Sequence, residues 1–144
     1  METRTVFIVL IAALAVLVSG IIGYRIYKDW STPKEILKHY FTSNETLKPN
    51  SDKVLEFYSR AGGNITGTIN ATKEINIYIL DTLNYFEYKD KRNISAAAPV
   101  FATNGTKINL EWYVSSDNYW YVVLYNKNTE DVVVEYDVWC RFLS

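Results

Sequence analysis

The sequence has 144 residues, 15 of them basic and 16 acidic, for a formal net charge of −1. The basic residues form no block, so the sequence indicates neither a nucleic acid nor an anionic membrane surface as a partner. A single cysteine, Cys140, excludes a disulfide within the chain, and a single histidine, His39, restricts any catalytic arrangement that needs an imidazole.

Residues 6–23 form a run of eighteen side chains without a charge, VFIVLIAALAVLVSGIIG. A run of this length predicts a helix that spans the hydrocarbon core of a lipid bilayer. A secretory signal usually has an apolar core of about 7–15 residues followed by a small-residue cleavage site. Here the nearest such site, residues 18–20, lies inside the run. We therefore expect residues 1–30 to be an uncleaved transmembrane anchor.

Small side chains recur along one face of this predicted helix. Ala15, Ser19 and Gly23 are spaced by four residues, and Ala12 precedes them by three. In lipid, close approach of backbones along small residues is a main route to helix association. The sequence has no second apolar run of spanning length, so a helix packed here would belong to another chain. Small residues are also common in membrane spans, which leaves an accidental spacing open.

The segment at residues 31–50 is predicted to be a short amphipathic helix followed by a linker. Thr32 has the position of an N-cap, Pro33 that of the first helical residue, and Glu35 completes a capping box. Apolar side chains between residues 36 and 41 would then fall on one face of this helix.

From residue 51 onward, apolar and polar side chains alternate between turn signals, which predicts strands. The clearest example is residues 132–142, with valines and aromatic residues at every second position. Seven or eight short strands result, and each has one apolar face that must be buried. The sequence therefore predicts a mainly β fold, an antiparallel β-sandwich over residues 51–144. Residues 81–87 are assigned to a short, irregular strand.

Two strand segments carry a family resemblance. The sequence INIYILD at residues 75–81 is followed by Asn84 and Tyr85, and YWYVVLYN at residues 119–126 precedes a valine-rich segment. In this pattern residues 67–138 resemble the GOLD-type (Golgi-dynamics) β-sandwich. The resemblance implies a non-catalytic, protein-binding module in a lumenal or extracellular space. Eukaryotic membrane members have a C-terminal anchor, whereas this anchor is N-terminal, a layout that also resembles archaeal surface-filament and stator components.

Two signals disagree about the side of the membrane on which the domain lies. One basic residue precedes the span and four follow it closely, which favours a cytoplasmic domain. Five N-x-S/T glycosylation acceptors favour an exterior domain, since about 1.8 are expected by chance. These acceptors are Asn44, Asn64, Asn70, Asn93 and Asn104. All five fall in predicted loops, turns or strand ends, and we expect an exterior, glycosylated domain.

The sequence offers few candidates for chemistry. His39 is predicted to lie on the helix near the membrane, far from Cys140, which alternates with core valines and is predicted to be buried. Glu135 and Asp137 share a strand face, but a calcium site needs several more oxygen ligands. No spacing suits zinc and no glycine-rich loop suits phosphate. The sequence therefore predicts no catalytic residue, no metal site and no cofactor.

Trp139 lies on the polar face of the last predicted strand, beside Arg141. It is predicted to stack on Arg141, to pack under a loop, or to contact a partner or a glycan. We predict a non-catalytic accessory or structural subunit of a membrane or cell-surface complex, with other membrane-protein subunits and the lipid bilayer as partners. The alternatives are a carbohydrate- or envelope-binding surface module and a component of an archaeal surface filament or its stator.

Overall fold

The computed structural model describes residues 3–31 and 36–143, and the chain divides into two compact units, Met1–Lys34 and Glu35–Ser144. The first unit contains one helix, α1 (Thr3–Ser31). Its segment Ile8–Lys28 is apolar and long enough to cross a membrane, and none of these residues is buried against protein. Helix α1 therefore has the length and composition that both a membrane anchor and a signal sequence require.

The second unit is built on one antiparallel sheet of six strands that curls on itself. The strands are β1 (Ile36–Leu47), β2 (Asp52–Ser59), β3 (Asn64–Asp81), β4 (Phe101–Tyr113), β5 (Asn118–Tyr125) and β6 (Val132–Leu143). Helices α2 (Thr82–Lys91) and α3 (Ile94–Ala97) connect β3 to β4. The strand order is β1-β6-β3-β5-β2, and β4 also pairs with β3.

The long antiparallel pair formed by β3 and β4 runs through both layers into which this sheet is divided. The first half of β3 pairs with β6 and its second half pairs with β5, while β4 pairs along both halves with a register shift between Asn70 and Ile75. We call the part around β1 and β6 the β6 layer and the part around β2 and β5 the β5 layer. A β-bulge of this kind bends a strand, so the β3–β4 pair contributes strand segments to both layers.

The two layers bury a common core of aliphatic and aromatic side chains. Leu55 and Phe57 of β2, Ile65 of β3 and Val122 of β5 have no exposed surface. Cys140 also belongs to this core, as the alternation in β6 predicts, and burial raises the pKa of its thiol. The β-branched and aromatic residues that dominate these strands fit a pleated, half-buried surface.

Gly67 lies in the β3–β6 ladder, opposite Val138, at a point where the two backbones approach closely. A Cβ atom at this position would lie 2.7 Å from the Cα of Val138 and closer still to the carbonyl oxygen of Asp137. Glycine in a strand interior is typical of such close backbone approach. The β3–β6 ladder therefore requires a residue without a side chain here.

Helices α2 and α3 cover the outer face of the β5 layer. A second buried cluster forms there, consisting of Leu80, Tyr88, Ala97, Tyr121 and Val123. Asp81 caps α2, since its side chain accepts a hydrogen bond from the backbone N–H of Asn84 at 2.8 Å. The β5 layer is thus buried on both faces.

Side chains join the two strands at the ends of the strand order, β1 and β2. Lys53 Nζ lies 2.8 Å from Glu45 Oε1, and the hydroxyl of Tyr136 donates to the same oxygen at 2.7 Å. The hydrogen bond from Lys53, followed by that from Tyr136, holds the pKa of Glu45 below its usual value. This bridge ties the edge of one layer to the edge of the other.

Asn126, fully buried after β5, connects two turns. Its Nδ2 atom lies 3.0 Å from the carbonyl oxygen of Leu47, 3.1 Å from that of Lys48 and 2.9 Å from that of Glu130. Its Oδ1 accepts from the backbone N–H and from the side-chain amide of Asn128. The side chain of Asn126 therefore hydrogen-bonds to backbone groups of both the β1–β2 turn and the β5–β6 turn.

Three sequence predictions about local structure are wrong. Residues 36–41 are not an amphipathic helix, because β1 begins at Ile36 and pairs with β6 over twelve residues; Thr32, Pro33 and Glu35 lie outside the described residues. The linker predicted up to residue 50 is therefore partly strand. Residues 82–87 belong to helix α2 rather than to a strand. The seven or eight predicted strands are six in the described residues, because β3 and β4 each join two predicted segments, the predicted strand at 81–87 is mostly helix and β1 is added. The mainly β, antiparallel fold is confirmed.

Candidate binding surfaces

The outer face of the β6 layer is open, since within the second unit no described helix or strand packs over it. We call this surface the open face. Its outward side chains are Lys38, Tyr40, Thr42, Asn44, Asn64, Thr66, Thr68, Asn70, Lys107, Asn109, Glu111, Tyr113, Glu135, Asp137, Trp139 and Arg141. Three of these are basic and three acidic, so the surface is charged without a net sign.

Trp139 and Arg141 lie on β6, an inner strand of the open face, close to the end of the face at which β6 finishes. The guanidinium carbon of Arg141 lies 3.7 Å from the ring centroid of Trp139, and both side chains are half-buried. Of the three predicted roles of Trp139, stacking on Arg141 is therefore observed. Tyr40, at 57% exposure, lies opposite Trp139 on β1, and Tyr113, at 67% exposure, lies two strands away on β4, beyond Asn64 of β3. Stacking of this kind fixes the indole while leaving its outer side accessible.

The structure places the predicted glycosylation acceptors on outward positions. Asn44, Asn64 and Asn70 lie on the open face, Asn93 lies between α2 and α3, and Asn104 lies in β4. The prediction that all are in loops, turns or strand ends is wrong for the three that lie within strands, Asn44, Asn70 and Asn104. The outer face of a strand tolerates polar residues, so alternation alone does not separate strand from loop. All five are exposed or half-buried.

The small-residue stripe of α1 is exposed along its length. The hydroxyl of Ser19 donates to the carbonyl oxygen of Ala15 at 2.8 Å, so it is satisfied within its own helix. A Cβ atom on Gly23 would meet nothing within 4 Å. A neighbouring helix could therefore approach closely along the stripe formed by Ala12, Ala15, Ser19 and Gly23. That a helix packs there stays a prediction.

The β1–β6 register corrects the predicted separation of His39 and Cys140, because the two residues lie directly opposite each other. Cys140 is fully buried, and burial raises the pKa of its thiol, which disfavours the thiolate that a nucleophile needs. His39 instead stacks with Phe142, with 6.3 Å between ring centroids. Glu135 and Asp137 are exposed, and the described residues contain no cluster of three or more metal-ligating side chains.

Sequence reasoning missed a cleft between α2 and the neighbouring strands. We call it the tyrosine cleft. Its lining residues are Tyr78, Tyr88, Tyr125, Arg92, Asp52, Asn50, Ser51, Asn93 and Ile94. It has two lobes of about 370 and 330 Å³, which share Tyr88, Arg92 and Tyr125. The lining residues come from four separate segments of the chain, and the sequence carries no local signal that joins them.

Comparison with known proteins finds weak structural likeness only. No family model and no curated protein matches the sequence. A mitogen derived from Yersinia pseudotuberculosis is 13% identical with a TM-score of 0.47, and the match covers 71% of this chain and 86% of that chain. A pre-peptidase C-terminal domain of a Bacillus anthracis collagenase is 14% identical with a TM-score of 0.45, over 74% and 89% of the chains.

A protein of the Bacillus endospore appendages, which form disulfide-linked pili, is 10% identical with a TM-score of 0.45, over 78% of this chain and 93% of that chain. No family model identifies a GOLD-type domain in the sequence. The resemblance of residues 67–138 to that family therefore stays a prediction.

Proposed function

We propose that this protein is a non-catalytic accessory or structural subunit of a membrane or cell-surface complex. Helix α1 is its uncleaved anchor, and the sheet domain acts by binding another subunit through the open face. The observation that carries this proposal is the difference between the two outer faces of the sheet. Helices α2 and α3 cover one of them, whereas the other carries Trp139 stacked on Arg141 and has no described element of its unit above it.

The composition of the open face favours a protein partner. Trp, Tyr and Arg are enriched where proteins contact each other, and a well-packed aromatic anchor is typical of an energetic hot spot. Here Trp139 stacks on Arg141, with Tyr40 opposite it on β1 and Tyr113 on the same face in β4. The balance of acidic and basic residues suits a partner surface that itself carries both signs, rather than a nucleic acid. The GOLD-type resemblance, which implies protein binding, supports the same reading.

We place the sheet domain on the exterior side of the membrane, where glycans can be attached. All five acceptor asparagines are on outward positions, and Asn93 and Asn104 lie away from the open face, where a glycan would leave the docking surface uncovered, which supports this assignment. We expect protease added to intact cells to remove the sheet domain and leave the anchor in the membrane. Full protection of the domain until the cells are lysed would reverse the assignment.

Co-purification tests the complex directly. We expect the tagged protein, extracted in a mild detergent, to recover a fixed ratio of another membrane protein. Trp139→Ala removes the proposed anchor, and we expect an affinity loss of about thirty-fold, typical of a hot spot. Phe86→Ala, which removes an exposed aromatic from the covered side, serves as the matched control and should not change recovery.

A second pair of variants separates the helix from the sheet domain. Ser19→Leu with Gly23→Leu fills the small-residue stripe and should release the partner, while Leu17→Ile with Ile21→Leu alters the opposite side of α1 and should not. A protein that always migrates alone would contradict the proposed function. Unchanged recovery with Trp139→Ala would exclude the open face as the docking surface.

A further inference from the structure

We propose that the tyrosine cleft is a second binding site, independent of the open face, and that it binds a neutral saccharide. The cleft lies on the covered side of the domain, between α2 and the outer face of the β5 layer. Each of its two lobes, about 370 and 330 Å³, lies near the lower end of the size range of small-ligand sites.

Aromatic walls are the first argument for a sugar. Tyr78 and Tyr125 lie on adjacent strands, β3 and β5, and Tyr88 faces them from α2. A phenol ring presents an apolar face with a polar tip, and the C–H groups of a sugar ring can pack on that face while its hydroxyls reach the tip. The hydroxyl of Tyr78 accepts from the side-chain amide of Asn76 at 2.8 Å, which orients its own proton away from that amide.

Paired charge is the second argument. Asp52 Oδ2 accepts from the hydroxyl of Tyr88 at 2.6 Å and from the guanidinium of Arg92 at 3.2 Å. Because each charge neutralises the other, the cleft favours neither an anion nor a cation. The guanidinium has five N–H donors, and the two carboxylate oxygens accept only. Adjacent hydroxyl groups of a sugar both donate and accept hydrogen bonds, so they suit a site where Arg92 donors lie beside Asp52 acceptors.

Backbone conformation is the third argument. Asn50 has a φ of 54° and Arg92 a φ of 48°, and both residues line the cleft. Positive φ is uncommon for residues other than glycine. At Arg92 it is the left-handed conformation of the residue that ends helix α2, and Asn50 lies in the turn between β1 and β2. The two left-handed positions therefore place both residues at the same cavity.

The test uses the full chain, produced in a host that does not glycosylate it, in lipid nanodiscs. A glycan on Asn93, which also lines the cleft, or a sugar-headed detergent would compete for it. The probe is a printed array of neutral oligosaccharides built from hexoses and N-acetylhexosamines, with sialylated and uronic-acid oligosaccharides on the same array. We expect binding to members of the neutral set. Tyr125→Ala and Arg92→Gly should each weaken it about tenfold, by loss of a ring face and of a charged donor.

Arg92→Gly keeps the fold testable, because glycine adopts the left-handed conformation of this helix end without strain. Tyr113→Ala, on the open face, is the matched aromatic control and should bind as the unmodified protein does. The proposal is overturned if no neutral oligosaccharide binds, if only acidic ones bind, or if Tyr113→Ala loses binding while both cleft variants retain it. None of these outcomes depends on whether a protein partner co-purifies.

Discussion

Replacing Gly67 with alanine is expected to destabilise the sheet domain by about 3 kcal/mol, at the upper end of typical overpacking effects. The added Cβ would lie 2.7 Å from the Cα of Val138 and closer to the carbonyl oxygen of Asp137. Both are backbone atoms of β6, held in a ladder with β3, so neither can rotate away as a side chain would. Relief of the clash requires β3 and β6 to move apart.

Chemical unfolding of the full chain, followed by tryptophan fluorescence, measures this effect. Thr68→Ala is the matched control, because Thr68 is the next residue in β3 and its side chain is exposed on the open face. The control should change the free energy of unfolding by no more than about 0.5 kcal/mol. If Gly67→Ala and Thr68→Ala unfold at the same denaturant midpoint, the backbones of β3 and β6 at Gly67 are far enough apart in solution to accept a Cβ atom, which contradicts this prediction.

The strands with strict alternation could be predicted from the sequence. In β6, every second residue from Val132 to Phe142 is buried and Cys140 lies among them. This pattern is local, because a strand with one buried face must place apolar residues at a period of two. The predictions of a mainly β fold and of a buried Cys140 rest on it.

Strand β1 and helix α2 could not be assigned in the same way. Residues 36–47 are mostly polar, and the backbone of β6 along twelve residues is what makes them a strand. Pairing of this kind depends on cross-strand neighbours that a local pattern does not contain. For α2 a local signal exists, because Asp81 is an N-cap with Asn84 three residues later. The alternating strand pattern runs up to Asp81, so the N-cap signal at the same residue is read as a continuation of the strand.

The same distinction separates the two candidate sites. Trp139 could be singled out because an aromatic residue interrupts the polar side of one strand, and its contact with Arg141 is two residues away in sequence. The tyrosine cleft needs β3, β5, α2 and the β1–β2 turn to meet, which only the folded topology brings about. Its charged pair, Asp52 with Arg92, spans forty residues of the chain.

Replacing Asn126 with alanine is expected to cost about 3 kcal/mol of folding free energy, because it leaves buried polar groups without their partners. The carbonyl oxygens of Leu47, Lys48 and Glu130 would all lose the amide of Asn126. These groups belong to two turns that are far apart in sequence, so the loss loosens the β1–β2 and β5–β6 connections together. Hydrogen exchange should rise in both turns and not in one alone.

Asn126→Asp distinguishes hydrogen bonding from packing, because aspartate has nearly the same size but its carboxylate cannot donate. We expect it to be at least as destabilising as alanine, since it also places a charge among buried carbonyl oxygens. Asn109→Ala, on the exposed open face, is the matched control and should change the free energy of unfolding little. An Asn126→Asp protein as stable as the unmodified chain would mean that the amide donors of Asn126 do not join the two turns.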